Sequence, residues 1–231
     1  MKIALCILTR NELPSLKIIF PRIAKPGPAA GYDVIYAIDG NSSDGTADYF
    51  HRYNIPVLQQ TQKGRAGAML EAFSKIEADA YILFSPDGNE AVEDLPRFRP
   101  FLEERTDLVI ASRMMAGGRN EEDIYFFKWR KWGNLFFTFF TNLFFRRVGP
   151  YITDTSNGLR AITRTAGQEL KLDACDYTAE YQMTIRALKH RLKIEQFPTI
   201  EGQRVAGKSS VSSIPAGLRF LNCFIQELFF Q

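Results

Sequence analysis

Short apolar runs alternate with helical patterns through the first half of the chain. Segments with helical spacing begin near Glu12, Thr46, Ala66 and Glu93. The strand-like runs that separate them lie at 3–9, 34–38, 57–59, 81–85 and 108–112. Strands that alternate with helices form βαβ units, so the pattern predicts an α/β fold in which helices flank a mostly parallel sheet.

The second half of the chain follows a different pattern. A strongly aromatic stretch with basic flanks at 126–147 predicts a helix, and a turn-rich stretch, TDTSNGLRAITR, follows it. The spacing then predicts a helix at 178–189, a strand at 193–197 and an apolar helix at 216–229. A polar loop, EGQRVAGKSSVSS, connects the last two. No linker-like composition interrupts the chain, so we predict one domain over residues 1–231.

Composition narrows the classes of protein to consider. The 231 residues are 45% hydrophobic and carry a net charge of only +3, which argues against a nucleic-acid partner. Three scattered cysteines, Cys6, Cys175 and Cys223, argue against a disulfide framework or a zinc site and favour a reducing compartment. No apolar run reaches the roughly 18 residues that predict a membrane-spanning helix, so we expect a soluble or peripheral protein.

Charged residues follow each of the five strands predicted in the first half. They are Arg10 and Glu12, Asp39, Lys63 and Arg65, Asp87, and Arg113. Ligands of parallel sheets bind beyond the carboxyl ends of the strands, so we expect these side chains to converge on one site.

Each of these motifs also has a purely structural interpretation. In DGNSSDGT, Ser42 or Asp44 could cap the next helix. KGRAGAMLEAF could be a loop followed by a close-packed helix, and it lacks the spacing of a Walker loop. Lys63 and Arg65 nevertheless lie before a helix, where cations suit an anionic ligand. Asp87 and Asn89 offer the oxygen ligands that Mg²⁺ or Mn²⁺ prefers, or they form a β-turn.

Taken together and in this order, the motifs resemble family 2 glycosyltransferases, within them the dolichol-phosphate mannose or glucose synthases. The matching segments are LTRNE, DGNSSDGT, KGRAGA, SPDGN, Ser112-Arg113, DTSNGLRA and RVAGKSS. The resemblance implies a glycosyltransferase A-type, Rossmann-like fold and inverting transfer from a GDP- or UDP-linked sugar. It also implies that 1–115 binds the nucleotide sugar and that 116–231 binds the acceptor.

The resemblance also assigns roles to individual residues. It implies that Asp87 binds the metal and the diphosphate, and that Arg204 and Lys208 belong to a basic loop that closes over the phosphates. The predicted donor-binding residues are Arg10, Glu12, Asp39, Asp44, Lys63, Arg65 and Asp87, and the predicted acceptor-binding residues are Arg130, Lys131, Ser156 and Gly158. The predicted catalytic residues are Asp87, Arg113, Asp154, Arg204 and Lys208.

The metal motif departs from the family pattern. The family has DxD where this chain has Asp87-Gly88-Asn89-Glu90, so the metal ligands are predicted to be Asp87 and Asn89. Asn89 is neutral and a weaker ligand than an aspartate, and Glu90 or Glu93 could compensate.

The identity of the acceptor decides whether a base is needed. A lipid phosphate is already anionic at pH 7 because its second pKa is about 6. A sugar hydroxyl requires a general base, for which Asp154 and Glu180 are the candidates. The alternatives to a polyprenyl-phosphate glycosyltransferase are an enzyme of the same family with a hydroxyl acceptor, a non-catalytic nucleotide-sugar binder, and a nucleotidyltransferase.

The aromatic helix predicts a membrane surface as a further partner. In KWRKWGNLFFTFFTNLFFRRVG, tryptophans and cations flank an apolar body, which is typical of a helix that lies in a bilayer interface over about 128–147. The alternative is a core helix. We expect a peripheral protein on the cytoplasmic face of a membrane.

Overall fold

The structure, a computed structural model, describes residues 1–174, 176–206 and 213–229. A seven-stranded sheet in the order β3-β2-β1-β4-β6-β5-β7 forms its centre. The strands are β1 (Ile3–Thr9), β2 (Val34–Asp39), β3 (Val57–Gln59), β4 (Ala80–Phe84), β5 (Leu108–Ser112), β6 (Arg160–Thr163) and β7 (Ile194–Pro198). Only the pairings of β6 with β4 and β5 are antiparallel, which confirms the mostly parallel sheet.

Eight α-helices surround the sheet in the described part of the chain. They are α1 (Leu13–Ile19), α2 (Thr46–Arg52), α3 (Gly64–Lys75), α4 (Phe98–Glu103), α5 (Trp129–Phe145), α6 (Arg164–Glu169), α7 (Ala179–Lys189) and α8 (Ser213–Phe229). Short 3₁₀ turns lie at Phe20–Arg22, Pro28–Ala30, Val92–Arg97 and Glu121–Ile124.

Two apolar layers bury the sheet on both faces. One layer contains Met69 of α3 and Met183 of α7, and the other contains Leu16 of α1 and Phe98 of α4. Alternate residues of β1 belong to opposite layers, so β1 is apolar from Ile3 to Leu8, as expected of a parallel strand covered on both sides.

The sequence did not predict α6, and the predicted elements also differ from the observed ones at β6 and at the start of α4. The sequence analysis missed β6, because its four residues contain the buried Arg160 and follow a turn-rich segment. The helix predicted to begin near Glu93 is a 3₁₀ turn that contains Pro96, and α4 begins only at Phe98. Proline lacks the backbone N–H that a helix interior needs, which explains the delay.

Helix α5 buries three polar residues, and it exposes much of its aromatic surface while Phe145 joins the core. Thr138, Thr141 and Asn142 are buried and hydrogen-bond to Thr155, Tyr181 and the backbone of Ile152. The outward residues are exposed by about half or more, and they include Trp129, Phe136, Phe139 and Leu143.

Helix α8 packs beside α5 and repeats this arrangement. Its buried Glu227 accepts hydrogen bonds from Arg186 and Lys189, whereas Leu218 and Phe229 are exposed. Within the described residues, no helix is long and apolar enough to cross a membrane.

Candidate active site

A cavity of about 520 Å³ lies beyond the carboxyl ends of β1 to β4. We call it the donor cavity. The predicted donor-binding residues among its lining are Arg10, Glu12, Lys63, Arg65 and Asp87, and Arg204 joins them from the loop after β7. Burial raises the pKa of Glu12, and the negative charges of Asp87 and Asp44 act in the same direction. The strand ends therefore bring these charged groups into one site.

Asp39 and Asp44 shape the loop beside this cavity and are not part of its lining. Asp39 is buried and accepts hydrogen bonds from the backbone N–H and the hydroxyl of Ser42, at 2.9 and 2.5 Å. Asp44 accepts from the backbone N–H groups of Leu13 and Thr46, both at 3.0 Å. The second bond is to the first residue of α2, whose N-cap is Gly45 and not Ser42 or Asp44. Donor contact by these two residues stays a prediction.

Asp87 of the metal motif contacts the polar loop that follows β7. Asp87 Oδ2 forms an ion pair of 2.8 Å with Arg204 Nη2, and the carbonyl of Asp87 accepts from the N–H of Val205 at 3.0 Å. Gly88 has a φ of +96° and lies against the Val205 side chain, so any Cβ there would collide with it. The segment 201–206 is thus packed directly onto the predicted metal ligands.

The predicted metal ligands present few protein oxygens. Asn89 Oδ1 is buried and has no hydrogen-bond partner among the described residues, whereas Asn89 Nδ2 donates to Glu121 Oε2 at 3.3 Å. That unpaired oxygen fits a cation ligand. The described residues contain no cluster of three or more His, Cys, Asp or Glu side chains able to hold a metal. Glu93 pairs with Arg22 at an exposed site and does not line the donor cavity.

A second cavity, of about 330 Å³, lies between α5 and α8. We call it the acceptor cavity. Its polar residues include Arg113, Arg130, Lys131, Asn134 and Ser156, and its apolar residues include Phe137, Tyr177 and Phe220. An elongated molecule with an anionic end and an apolar body would match such a lining.

Arg113 lines the acceptor cavity and is held there by two carboxylates. Its Nε donates to Asp154 Oδ2 at 2.7 Å, and its Nη1 donates to Glu201 Oε1 at 2.9 Å. Asn134 Nδ2 donates to both Asp154 Oδ1 and Ser156 Oγ. Asp154 is fully buried, and although burial alone would raise its pKa, Arg113 and these hydrogen bonds lower it to about 2. Its oxygens therefore support Arg113 and are poorly placed to take a proton from an acceptor.

The other predicted acceptor-binding and catalytic residues do not all lie in the acceptor cavity. Arg130 forms an ion pair with Glu121 at 3.4 Å, and Lys131 with Asp123 at 2.5 Å. Gly158 does not line the acceptor cavity: a Cβ there would lie 2.5 Å from Glu90 Oε1, on the donor side. Lys208 lies outside the described residues.

Sequence reasoning missed Asn134 and Glu201. A detectable signal existed for the first, because Asn134, Thr138, Thr141 and Asn142 form a polar stripe with helical spacing in an otherwise aromatic segment. Glu201 gave no such signal, since its contact with Arg113 depends on the pairing of β5 with β7.

Comparisons with known proteins identify the family and the fold. The sequence model of glycosyl transferase family 2 matches residues 4–165. The chain is 26% identical to a dolichol-phosphate mannosyltransferase of Pyrococcus furiosus over 126 residues, which are 52% of this chain and 36% of that protein. It is 27% identical to a polyprenol monophosphomannose synthase of Mycolicibacterium smegmatis, over 89% of this chain and 79% of that one.

The matches do not extend over the full length of every relative. A UDP-N-acetylglucosamine–dolichyl-phosphate N-acetylglucosaminyltransferase of Methanococcus voltae is 30% identical over 62% of this chain, but only 57% of that protein is covered. Among solved structures, glucosyl-3-phosphoglycerate synthase from Mycobacterium tuberculosis, in complex with Mn²⁺ and UDP, superimposes with a TM-score of 0.71. The identity is 16%, over 98% of this chain and 80% of that one, which confirms the fold.

Proposed function

This chain belongs to glycosyl transferase family 2, and from that premise we propose that it transfers a sugar, with inversion, from a GDP- or UDP-linked donor to a polyprenyl phosphate. Two cavities with different linings carry the proposal: the donor cavity at the strand ends and the acceptor cavity between α5 and α8, which Arg113 lines. One is rich in cations at the strand ends, and the other has a polar end and an apolar wall. The relatives named for dolichol phosphate and polyprenol substrates support the choice of acceptor.

A phosphate acceptor fits the buried state of the carboxylates. Asp154 is bound by Arg113, and Glu180 is bound by Arg65, so neither is available as a general base. A phosphate oxygen is already anionic and needs no base. The cations would then hold the acceptor phosphate near the donor and stabilise charge on the leaving diphosphate. A hydroxyl acceptor remains the alternative within the family, and it would require one of these ion pairs to open.

Asp87 and Asn89 would hold a divalent cation, Mg²⁺ or Mn²⁺, together with the donor diphosphate. Such a cation would neutralise charge that develops on the leaving diphosphate. The solved structure with Mn²⁺ and UDP supports the proposal by its shared fold. The ion pair with Arg204 occupies Asp87 in the described state, so the cation and Arg204 would compete for the same carboxylate.

We further propose that the outward faces of α5 and α8 contact a membrane surface, with the protein on the cytoplasmic face. Phe136 and Phe139 are each more than half exposed, and Trp129 lies at the basic end of α5. An apolar face with aromatic and cationic borders is typical of a helix in the bilayer interface.

A turnover assay tests the proposal. The protein would be incubated with radiolabelled GDP-mannose, UDP-glucose or UDP-N-acetylglucosamine, Mn²⁺, and a short polyprenyl phosphate in detergent. We expect labelled lipid with one of the donors, and its loss in Asp87→Ala and in EDTA. Transfer to a saccharide but not to the lipid would favour the hydroxyl-acceptor alternative. Donor binding without any transfer would favour a non-catalytic binder.

A further inference from the structure

A buried carboxylate of α7 holds one of the cations of the donor cavity. The Glu180 side chain is 3% exposed and accepts a hydrogen bond at Oε1 from Arg65 Nε. Arg65, at the start of α3, is 24% exposed and lines the cavity. Glu180 does not line the cavity, so it contacts Arg65 from the protein side.

Two further contacts fix the plane of the guanidinium. Arg65 Nη1 donates to Ser85 Oγ at 2.6 Å, and Nη2 lies 3.5 Å from Glu90 Oε1. Nη2 is buried, and apart from this ion pair with Glu90 it makes no hydrogen bond within the described residues. Glu180, Ser85 and Glu90 therefore fix the orientation of an arginine that lines the donor cavity.

The helix turn that carries Glu180 is itself held in place by hydrogen bonds. Arg160, fully buried on β6, donates from Nη1 to the Glu180 carbonyl at 2.8 Å and to Thr184 Oγ1 at 3.2 Å. This fixes the first turn of α7 against the sheet. Burying ion pairs is weak evidence for stability, because desolvation offsets most of their attraction. The stability of the fold is therefore a weak explanation for the buried ion pair of Glu180 and Arg65, and a role in function is the alternative.

We propose that Glu180 is a positioning residue, which acts through Arg65 to hold the positive charge of the guanidinium beside the donor cavity, where it attracts the diphosphate of the bound nucleotide sugar. The inference rests on the proposed donor site and adds to it a residue that never touches the donor. Gly158 belongs to the same arrangement, since a Cβ there would collide with both Arg65 and Glu90.

A double-mutant cycle tests this role. Donor affinity, kcat and KM would be measured with Mn²⁺ and with whichever of UDP-glucose, UDP-N-acetylglucosamine and GDP-mannose the wild type uses. The proteins compared are wild type, Glu180→Ala, Glu180→Gln, Arg65→Ala and the Arg65→Ala/Glu180→Ala double variant. We expect Glu180→Ala to lose roughly 100-fold in kcat/KM for the donor, because small displacements of a positioning group have effects of that size. Glu180→Gln keeps an acceptor oxygen for Nε and should lose less.

The cycle separates positioning from simple stabilisation. If Glu180 acts through Arg65, the double variant is no worse than Arg65→Ala alone. Additive losses, or a lower Tm with unchanged donor kinetics, would overturn the proposal. If Glu180→Ala does not fold, Glu180→Gln in both backgrounds gives the same comparison. Wild type that neither binds nor uses any donor would instead overturn the proposed function, and this inference with it.

Discussion

Asp154 is the most completely enclosed carboxylate of the site described above. Its ion pair with Arg113 and its bonds from Asn134 and the backbone of Asn157 stabilise its charged form. These contacts outweigh the burial that would otherwise raise its pKa, and they lower the pKa to about 2. Its charge therefore contributes to stability as well as to the position of Arg113.

We expect a specific loss of stability in acid. The pKa of Asp154 is lower in the folded protein than its unfolded value of about 4. Its charged form therefore contributes fully to the free energy of unfolding above pH 4, and this contribution is lost as the pH falls to about 2. The shift corresponds to about 2 kcal/mol of unfolding free energy. Urea unfolding between pH 5 and pH 2 should show a shallower pH dependence in Asp154→Asn, while Asp48→Asn, at an exposed position of α2, should keep the wild-type slope. Equal slopes in all three proteins would contradict this prediction.

Gly158 gives a second prediction for a single residue. A methyl group there would press on Arg65 and Glu90, so Gly158→Ala should weaken donor binding by displacing the guanidinium. Calorimetry with the donor would measure the change. Gly133→Ala is the matched control, because its Cβ meets nothing within 4 Å among the described residues, and its donor affinity should equal that of wild type.

At the scale of elements, the strands of the first half could be predicted and β6 could not. Val57–Gln59 and Leu108–Ser112 were predicted with the bounds observed, since apolar runs with turn residues on either side are strong signals. The four residues of β6 carry no such pattern, because Arg160 is buried through hydrogen bonds and not through hydrophobicity. For the same reason, the strand-end charges were predictable, but the ion pairs between distant segments, such as Arg65 with Glu180, were not.

The outward face of α5 allows a matched test of membrane contact. Phe139 on α5 and Ile18 on α1 are each 53% exposed, so an aspartate at either position should leave the fold intact. Phe139→Asp should reduce sedimentation with anionic phospholipid vesicles, because a charge on this face opposes insertion into the interface. Ile18→Asp should bind vesicles as wild type does. Equal binding by both variants would argue against α5 as the contact surface.

At the scale of the whole molecule, the segment 201–206 connects the two cavities. Glu201 accepts from Arg113 and from Asn120 Nδ2, at the acceptor side. Three residues later, Arg204 pairs with Asp87 at the donor side. A displacement of Arg113 at the acceptor cavity or of Asp87 at the donor cavity would therefore act on the same short segment of backbone.

The competition for Asp87 leads to a prediction about metal affinity. Without nucleotide, Arg204→Ala should bind Mn²⁺ several-fold more tightly than wild type, because the carboxylate loses its competing cation. Titration followed by electron paramagnetic resonance would measure the affinity. Arg10→Ala removes an equal charge from the same cavity, and Arg10 has no ion pair within the described residues, so it should have a smaller effect. An equal change in both variants would indicate a general electrostatic effect.

The arrangement of α5 also affects how the sequence can diverge. Its inner polar residues attach the helix through directional bonds, so each needs a particular functional group at a particular position. Asn142, for example, donates from Nδ2 to the carbonyl of Ile152 and accepts at Oδ1 from the N–H of Ile152. The outward residues of α5 need only be apolar. In a saturation mutagenesis library, the outward positions should therefore exchange freely among leucine, isoleucine and phenylalanine, while Thr138, Thr141 and Asn142 should tolerate almost no replacement. In this helix, the polar residues would be the slowly evolving ones.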